Sequence, residues 1–419
     1  MRGKLALFDF LKPNKGNFGL VLDIGTEFIK ALIFEIKGDE AEILGVARVR
    51  QKLTEMRGGV VLDIEGVIKN SQEAIARAEE MAKATATQVI VGIAGELVKG
   101  TTTTVHYSRA KAKEKITYAE LRNIVDKVQR RAFDKVRESL SFETGHAEID
   151  VKLVNAAIVD VKIDGYRVTN PLGFQGKDVS VSVFNAFAPI VHLGALQTIT
   201  EELGLDLIAI AAEPYAVAKA VGLDDSLDFS AIFMDLGGGT TDIAVVRNGG
   251  LEGTKMIAIG GRSFTKRLSQ NLSISFEMAE EMKISYSNGF LEGKSAGRVK
   301  KAFLPDCKVW LSGVELTLEE FSDDLLPSRI LLCGGASALP EIKYILETDD
   351  WYKRLAFAKK PTIEFIHTED VARIKDLTRR LQNPQDITPM ALANTALDFT
   401  GPENIVDGIL NKVVKSLRE

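Results

Sequence analysis

Two stretches of the chain, roughly two hundred residues apart, repeat one pattern of apolar strand, acidic residue, glycine turn and second apolar strand. They are Gly19–Ile36 and Ala231–Gly249, and Asp23 in the first occupies the place of Asp235 in the second. Apolar, β-branched runs on both sides of a glycine turn predict a β-hairpin in each stretch. A repeat at this separation predicts two similar halves that face each other.

The segments after each hairpin extend the two halves. Residues 41–50 and 251–259 continue the alternation and predict a third strand in each half. Residues 64–83 and 263–284 then carry apolar positions at helical spacing, which predicts one covering helix in each half. Strands covered by helices indicate an α/β fold.

A further unit lies between the halves. It begins with an apolar strand at residues 89–95, followed by a helical pattern at 118–140. Two alternating segments, 151–163 and 179–188, then predict strands. The order of these elements indicates a compact α+β insert.

These patterns divide the chain into six segments. They are residues 17–87 (first half, N-terminal part), 88–189 (the insert), 190–228 (first half, continued), 229–345 (second half, with a reduced lid subdomain), 346–402 (return to the first half) and 403–419 (a C-terminal amphipathic helix). The final stretch, from Met390 onward, is predicted to be helical.

Length and charge limit the class of protein. The 419 residues exceed what one hydrophobic core normally organises, so two or three domains are expected. With 45% hydrophobic and 26% charged residues, the composition is that of a soluble globular protein. The net charge of −5 gives no general attraction to nucleic acid, and we expect no nucleic-acid partner.

Cysteines, histidines and apolar runs exclude several further classes. Cys307 and Cys333 stand in unrelated contexts, and the four histidines are scattered, so neither set has metal-ligand spacing. This cysteine usage indicates a reduced, cytosolic protein. No apolar run reaches the ~18 residues of a membrane-spanning helix. Residues 1–15 lack the hydrophobic centre of a signal peptide.

The glycine turns of the two hairpins are candidate phosphate-binding sites. They are Asp23–Thr26 and Asp235–Asp242, the second with three consecutive glycines. Glycine lets the backbone approach a phosphate, turn N–H groups bind its oxygens, and a strand-end aspartate can hold Mg²⁺ through water. Ordering each glycine costs about 0.5–1 kcal/mol, which a bound polyphosphate would offset. The alternatives are a plain hairpin for the first turn and a wide turn for the second.

Two other segments carry candidate site residues. A buried strand within Ile330–Ser337 ends in Gly334-Gly335 before a helix opened by Pro340. Such a junction contacts a nucleoside or phosphate in some proteins and is an ordinary α/β loop in others. Glu213 opens a helix of small residues, where its carboxylate could orient a water toward a terminal phosphate. The alternative role for Glu213 is capping of the positive helix end.

In this order and spacing, the motifs resemble the signature of the actin, heat-shock-chaperone and sugar-kinase superfamily. The resemblance implies two actin-like (ribonuclease H-like) halves around a nucleotide cleft, with an inserted small α+β subdomain. Within the superfamily, the chain resembles the FtsA family of bacterial cell-division proteins from about Gly19 to Ala396. The segments that carry this resemblance are Gly58–Ile64, Val91–Gly95, Thr169–Gly176, Ile259–Arg262 and Ala279–Lys283.

The resemblance implies ATP and Mg²⁺ as ligands and at most a slow ATPase activity. Asp23 and Asp235 would lie on the Mg²⁺ side and, with Glu213, would form the catalytic set. The cofactor-binding residues would be Gly25, Thr26, Gly238, Gly239 and Thr240 on the phosphate side and Lys283, Gly334 and Gly335 on the nucleoside side, together with Lys30, Gly237 and Ala336.

The resemblance also implies a role in cell division. It implies self-association into filaments, a peripheral position on the inner face of the cell membrane, and tethering of FtsZ, the tubulin-like division protein. The alternative is a cytosolic pilus-assembly adaptor of the PilM type, which would bind a peptide of a membrane partner. The long turn around Asn170–Gly173 favours FtsA. A small-molecule kinase would need a carboxylate base facing an acceptor hydroxyl, for which the insert offers no candidate.

Either end of the chain is a candidate for membrane contact. Asn404–Glu419 has apolar residues at helical spacing with basic residues elsewhere, although Gly408 weakens the helix by ~1 kcal/mol. Arg2–Lys15 combines apolar and basic residues in the same way. The alternatives are a helix packed on the protein body at the C-terminus and a disordered tail at the N-terminus.

Overall fold

The computed structural model describes residues 18–95, 98–144, 150–223 and 228–399. The predicted membrane segments, Arg2–Lys15 and residues 403–419, lie outside these ranges. Across the described chain, no helix has both the length and the apolar character needed to cross a bilayer.

The described residues form helices and strands in alternation. The strands are β1 (Phe18–Ile24), β2 (Phe28–Lys37), β3 (Glu40–Arg50), β4 (Met56–Arg57), β5 (Val60–Val61), β6 (Gln88–Ile93), β7 (Lys99–Ser108), β8 (Val151–Ile163), β9 (Tyr166–Arg167), β10 (Asp178–Pro189), β11 (Asp206–Ala212), β12 (Ala231–Leu236), β13 (Thr241–Arg247), β14 (Gly250–Ile257), β15 (Arg329–Cys333), β16 (Thr362–Phe365) and β17 (Ile374–Asp376). The helices are α1 (Ile64–Ala82), α2 (Tyr118–Thr144), α3 (Ile190–Glu202), α4 (Glu213–Ala218), α5 (Gly261–Leu272), α6 (Phe276–Ser287), α7 (Gly293–Glu319), α8 (Pro340–Thr348) and α9 (Ile387–Ala396).

The first half is built on a sheet with the strand order β11–β6–β1–β2–β3–β17. Its central strands are aliphatic and buried almost throughout, as expected for a sheet covered on both faces. α1 packs against β2 and β3, and α9 packs against β1 and β6. Gly45 permits the close approach of α1, because a Cβ there would lie 2.0 Å from the carbonyl oxygen of Ala78.

The second sheet joins the second half to the insert, in the order β16–β15–β12–β13–β14–β7–β10–β8–β9. The junction is the antiparallel pair β14–β7, at Gly253 opposite Thr101 and Thr254 opposite Gly100. Gly100 is necessary there, because a Cβ would lie 2.2 Å from the Thr254 hydroxyl oxygen. The insert therefore continues the sheet of the second half, which the interpretation as a compact separate unit did not anticipate.

The second half also extends further along the chain than its expected end at residue 345. After α8, β16 pairs in parallel with β15 and adds an edge strand to the second sheet. β17 then pairs with β3 in the first sheet. The return to the first half therefore lies between Phe365 and Ile374.

The single helix predicted over 263–284 is two helices. α5 ends at Ser273, which adopts the left-handed conformation with φ 54°. The Ser275 side chain then caps α6 by accepting a hydrogen bond from the Met278 N–H. Apolar spacing continues across the break, so periodicity alone does not reveal it.

Candidate functional site

The turns of the two hairpins are in direct contact. A Cβ at Gly238 would lie 2.7 Å from the Cβ of Glu27, and one at Gly239 would lie 2.9 Å from the Thr26 hydroxyl oxygen. Both positions therefore need glycine for the contact between the turns. Gly237 has more room, since the nearest atom to a Cβ there is the Thr240 carbonyl oxygen at 3.5 Å.

A cavity of about 350 Å³ lies beside this contact. Every site residue predicted from the sequence lines it except Gly239, which lies against Thr26. Its volume is within the roughly 300–1,000 Å³ of small-molecule sites. The common hollow expected for residues 23–26 and 237–241 is therefore present, while the ligand it takes stays a prediction.

Hairpin register places matching residue pairs at the floor of the cavity. In the first hairpin Asp23 is directly opposite Lys30, and in the second Asp235 is directly opposite Asp242. The Lys30 Nζ lies 2.9 Å from the Asp23 Oδ2. Burial by itself lowers the pKa of Lys30, but the nearby carboxylates, Asp23 foremost, outweigh burial and raise it. Lys30 is therefore a fixed positive charge in the cavity.

The second pair has two acids where the first has an acid and a base. Burial, and then the charge of Asp235, raise the pKa of Asp242 to about 7, although the Thr240 hydroxyl donates a hydrogen bond to it at 3.1 Å. Burial also raises the pKa of Asp235, opposed by the hydrogen bond from the Thr388 hydroxyl. The sequence analysis included Asp242 in the turn motif but gave it no role in the site.

Glu213 brings another carboxyl to the same cavity. It is the first residue of α4, and no side-chain hydrogen bond caps that end of the helix. Burial raises its pKa well above the ordinary value, and the charges of Asp23, Asp235 and Asp242 raise it further. A Cβ at Gly92 would lie 2.6 Å from the Glu213 Oε1, so that glycine makes room for the carboxyl.

The acidic groups and the backbone amides of the turns offer two kinds of ligand contact. In the described chain, no group of acidic, histidine or cysteine side chains is arranged to bind a metal directly. Binding of Mg²⁺ through water by Asp23 and Asp235 stays a prediction. Within the described residues, the structure shows no hydrogen bond from the backbone N–H groups of Thr26, Glu27 and Gly238–Thr240. Thr26, Glu27, Gly238 and Thr240 also line the cavity, so their amides are candidate contacts for an anion.

Lys283, which was predicted on the nucleoside side, also lines the cavity. The Lys283 Nζ donates hydrogen bonds to the Gly261 carbonyl at 3.1 Å, the Thr265 hydroxyl at 2.8 Å and the Glu280 carboxylate at 2.7 Å. All three of its donors are thereby used by the protein. Lys283 is therefore part of the cavity wall, and its ammonium group has no donor left for a ligand.

The Gly334 loop is tied to the second turn. Gly334 has φ 82°, and a Cβ there would lie 2.2 Å from the Asp235 Oδ1. Glycine is required both by this backbone conformation and by this contact. Gly335 and Ala336, which follow it in the chain, also line the cavity.

One wall of the cavity was missed from the sequence. Asn383, Pro384, Gln385 and Thr388 line it, just before and within the start of α9. The Pro384 carbonyl accepts a hydrogen bond from the Gly334 N–H at 2.9 Å. The side chains of Asn383 and Asp386 form a capping box, and this spacing is the only local signal that could have marked the segment.

Comparisons with known proteins agree with this architecture. A family model described as "Cell division protein FtsA" matches residues 232–385. Among curated relatives, the Cell division protein FtsA of Neisseria meningitidis serogroup B is 26% identical over 412 residues, covering 92% of each chain. The Cell division protein FtsA of Pseudomonas aeruginosa is 27% identical over 340 residues, covering 76% of this chain and 77% of the relative.

Two solved structures share the fold. A chain of the PilM–PilN type IV pilus biogenesis complex superposes with a TM-score of 0.63 at 17% identity, covering 92% of this chain and 99% of that one. The ethanolamine utilization protein EutJ from Carboxydothermus hydrogenoformans gives a TM-score of 0.50 at 17% identity and covers 92% of each chain. At this level of identity the likeness concerns the fold alone.

Two halves whose hairpin turns meet beside a shared cavity are typical of the actin-like fold. Among proteins of this fold, the chain is similar in sequence to the FtsA family of bacterial cell-division proteins.

Proposed function

We propose that this protein binds Mg·ATP in the cavity between the two hairpin turns. The observation that carries the proposal is the contact between the turns: Glu27 and Gly238, whose backbone N–H groups make no hydrogen bond within the described residues, line the same cavity as the partly buried Lys30. Backbone N–H groups and a lysine are the usual partners of phosphate oxygens. The triphosphate would lie along the turns, with the nucleoside toward Gly335 and Ala336.

In the same proposal, Asp23 and Asp235 hold Mg²⁺ through water. The ion would neutralise the acidic floor of the cavity, since buried carboxylates are costly without a counter-charge. Glu213 would orient the water that attacks the terminal phosphate. We expect hydrolysis to be slow at most, as the family resemblance implies, so that bound nucleotide acts as a conformational switch.

We further propose that the protein polymerises and links FtsZ to the inner face of the cell membrane. The support is similarity to the FtsA family, with relatives of that name matched over most of their length. Terminal amphipathic segments would supply the membrane contact. Because one short helix binds weakly, a filament presenting many copies would strengthen attachment through avidity. The pilus-adaptor alternative has support only from likeness of fold.

The nucleotide proposal predicts that Asp235→Ala abolishes Mg·ATP binding and leaves the fold intact. Isothermal titration calorimetry with ATP and Mg²⁺, and the far-ultraviolet circular dichroism spectrum, measure the two effects. Asp306→Ala is the matched control, because Asp306 pairs with Arg267 within the second half and does not line the cavity. Unchanged ATP affinity in Asp235→Ala would refute the site assignment.

The cellular role is tested by sedimentation with anionic lipid vesicles and FtsZ, with and without ATP. We expect the full chain to sediment with vesicles and to carry FtsZ with it. Truncations that remove residues 1–15 or 403–419 identify the segment responsible. If the full chain binds neither vesicles nor FtsZ in any nucleotide state, the linking role is wrong.

A further inference from the structure

Asp235 is held from two sides. Its Oδ2 accepts a hydrogen bond from the hydroxyl of Thr388. Its Oδ1 lies over Gly334, at a position that any larger residue at 334 would block. A carboxylate constrained at both oxygens has one orientation, and for Asp235 that orientation is at the cavity wall.

The hydrogen bond from Thr388 joins the two halves of the molecule. Asp235 is near the end of β12 in the second sheet, whereas Thr388 is in the first turn of α9. That helix packs against β1 and β6 of the first sheet. The bond therefore connects groups 153 residues apart in the chain, at the cavity itself. Thr388 is only 4% exposed, so water does not compete freely for its hydroxyl.

We propose that Thr388 is a positioning residue for the metal side of the nucleotide site. Its hydroxyl fixes the Asp235 carboxylate where it can meet the hydration shell of Mg²⁺, and it does so only when the two halves are closed. This inference rests on the proposed Mg·ATP function. It adds that the benefit of Mg²⁺ to ATP binding depends on a side chain of the first half.

The test compares ATP affinity with saturating Mg²⁺ and with EDTA. Thr388→Val removes the hydroxyl and keeps the side-chain shape, and Thr388→Ala removes it without any risk of crowding. With Mg²⁺ both variants should bind ATP about tenfold more weakly, the scale of one hydrogen bond to a charged group. With EDTA both should match the wild-type chain. Thr388→Ser should restore the Mg²⁺-dependent affinity.

Thr395→Val is the matched control in the same helix. The Thr395 hydroxyl is buried and donates to the Ala391 carbonyl at 3.2 Å, and Thr395 does not line the cavity. This variant should keep wild-type affinity in both conditions.

The outcomes distinguish failure of the positioning role of Thr388 from failure of the proposed Mg·ATP binding. If the wild-type chain does not bind ATP, the proposed function fails. Suppose that Mg²⁺ increases the ATP affinity of the wild-type chain. If it increases the ATP affinity of Thr388→Val and Thr388→Ala by the same factor, the positioning role is wrong. Equal losses with Mg²⁺ and with EDTA would also overturn it, because they would indicate a purely structural role.

Discussion

At the residue scale, the structure separates glycines that the sequence presents as one run. Gly238 and Gly239 are needed because the facing turn occupies the space of a side chain. Gly237 lines the cavity and has room for a methyl group within the protein. The entropic cost of the glycine run is therefore offset partly by contact between the halves, and not by a ligand alone.

The difference between Gly237 and Gly238 predicts that alanine at the two positions affects different properties, namely ATP affinity at 237 and stability at 238. Gly237→Ala should leave the melting temperature unchanged but weaken ATP binding at least about tenfold, because the added methyl enters the ligand space. Gly238→Ala should destabilise the ligand-free protein by about 1–3 kcal/mol, because the methyl overlaps Glu27. Thermal unfolding and ATP titration of both variants make the comparison. Equal melting temperatures for the two variants would count against the observed turn contact.

The candidate site could be predicted residue by residue only where a motif is contiguous. Asp23, Gly25 and Gly237 stand in glycine turns that the chain repeats, so their approach to one cavity was predictable. Asp242 could have been found by counting hairpin register, since it stands opposite Asp235 as Lys30 stands opposite Asp23. Thr388 carries no such signal, because its partner is distant in sequence.

At the element scale, the chief omission was α7. This helix of 27 residues contains Pro305, and proline inside a helix costs roughly 3 kcal/mol. Its buried side, including Phe303, Cys307 and Trp310, compensates by packing in the core of the second half. Helical periodicity interrupted by proline and glycine is weak evidence in a sequence, whereas packing makes the helix stable.

Trp310 connects α7 to the second hairpin, at the start of β13. Its indole N–H donates to the Thr241 hydroxyl at 3.0 Å, and the side chain is fully buried. Trp310→Phe should lower the free energy of unfolding by about 1–3 kcal/mol, since it leaves a small cavity and removes this bond. Urea denaturation measures the change. Val309→Ala, at a neighbouring position that is 61% exposed, should change it by less than about 0.5 kcal/mol.

At the scale of the whole molecule, an ion-pair network bridges the halves beside the turns. The Glu27 carboxylate accepts hydrogen bonds from the Arg50 Nε and the Arg262 Nε, each at 2.7 Å. Arg50 belongs to the first half and Arg262 to the second. The Arg262 Nη1 also donates to the Met56 carbonyl at 2.9 Å. Charged hydrogen bonds in this half-buried setting favour the closed arrangement of the halves.

Arg262→Ala should therefore speed the release of bound nucleotide. We expect ATP to dissociate several-fold faster in stopped-flow experiments with a fluorescent ATP analogue. The reason is that the variant loses about 1 kcal/mol of the free energy that favours the closed arrangement. Arg267→Ala is the matched control, because Arg267 lies on the same helix and pairs with Asp306 within one half. If both variants release nucleotide at the wild-type rate, the network does not hold the halves together.

The sequence by itself determined the local elements of this protein. Repeated apolar alternation and glycine turns specify two hairpins, because strand periodicity and turn chemistry act over a few residues. For the same reason it determined the glycine-turn residues that line the cavity. Only the tertiary structure decided that the insert shares a sheet with the second half and that β16 follows α8 into the same sheet. Only the tertiary structure shows the hydrogen bonds from Thr388 to Asp235 and from Arg262 to Glu27. These pairings join distant segments, and their stability comes from packing and burial that no local pattern records.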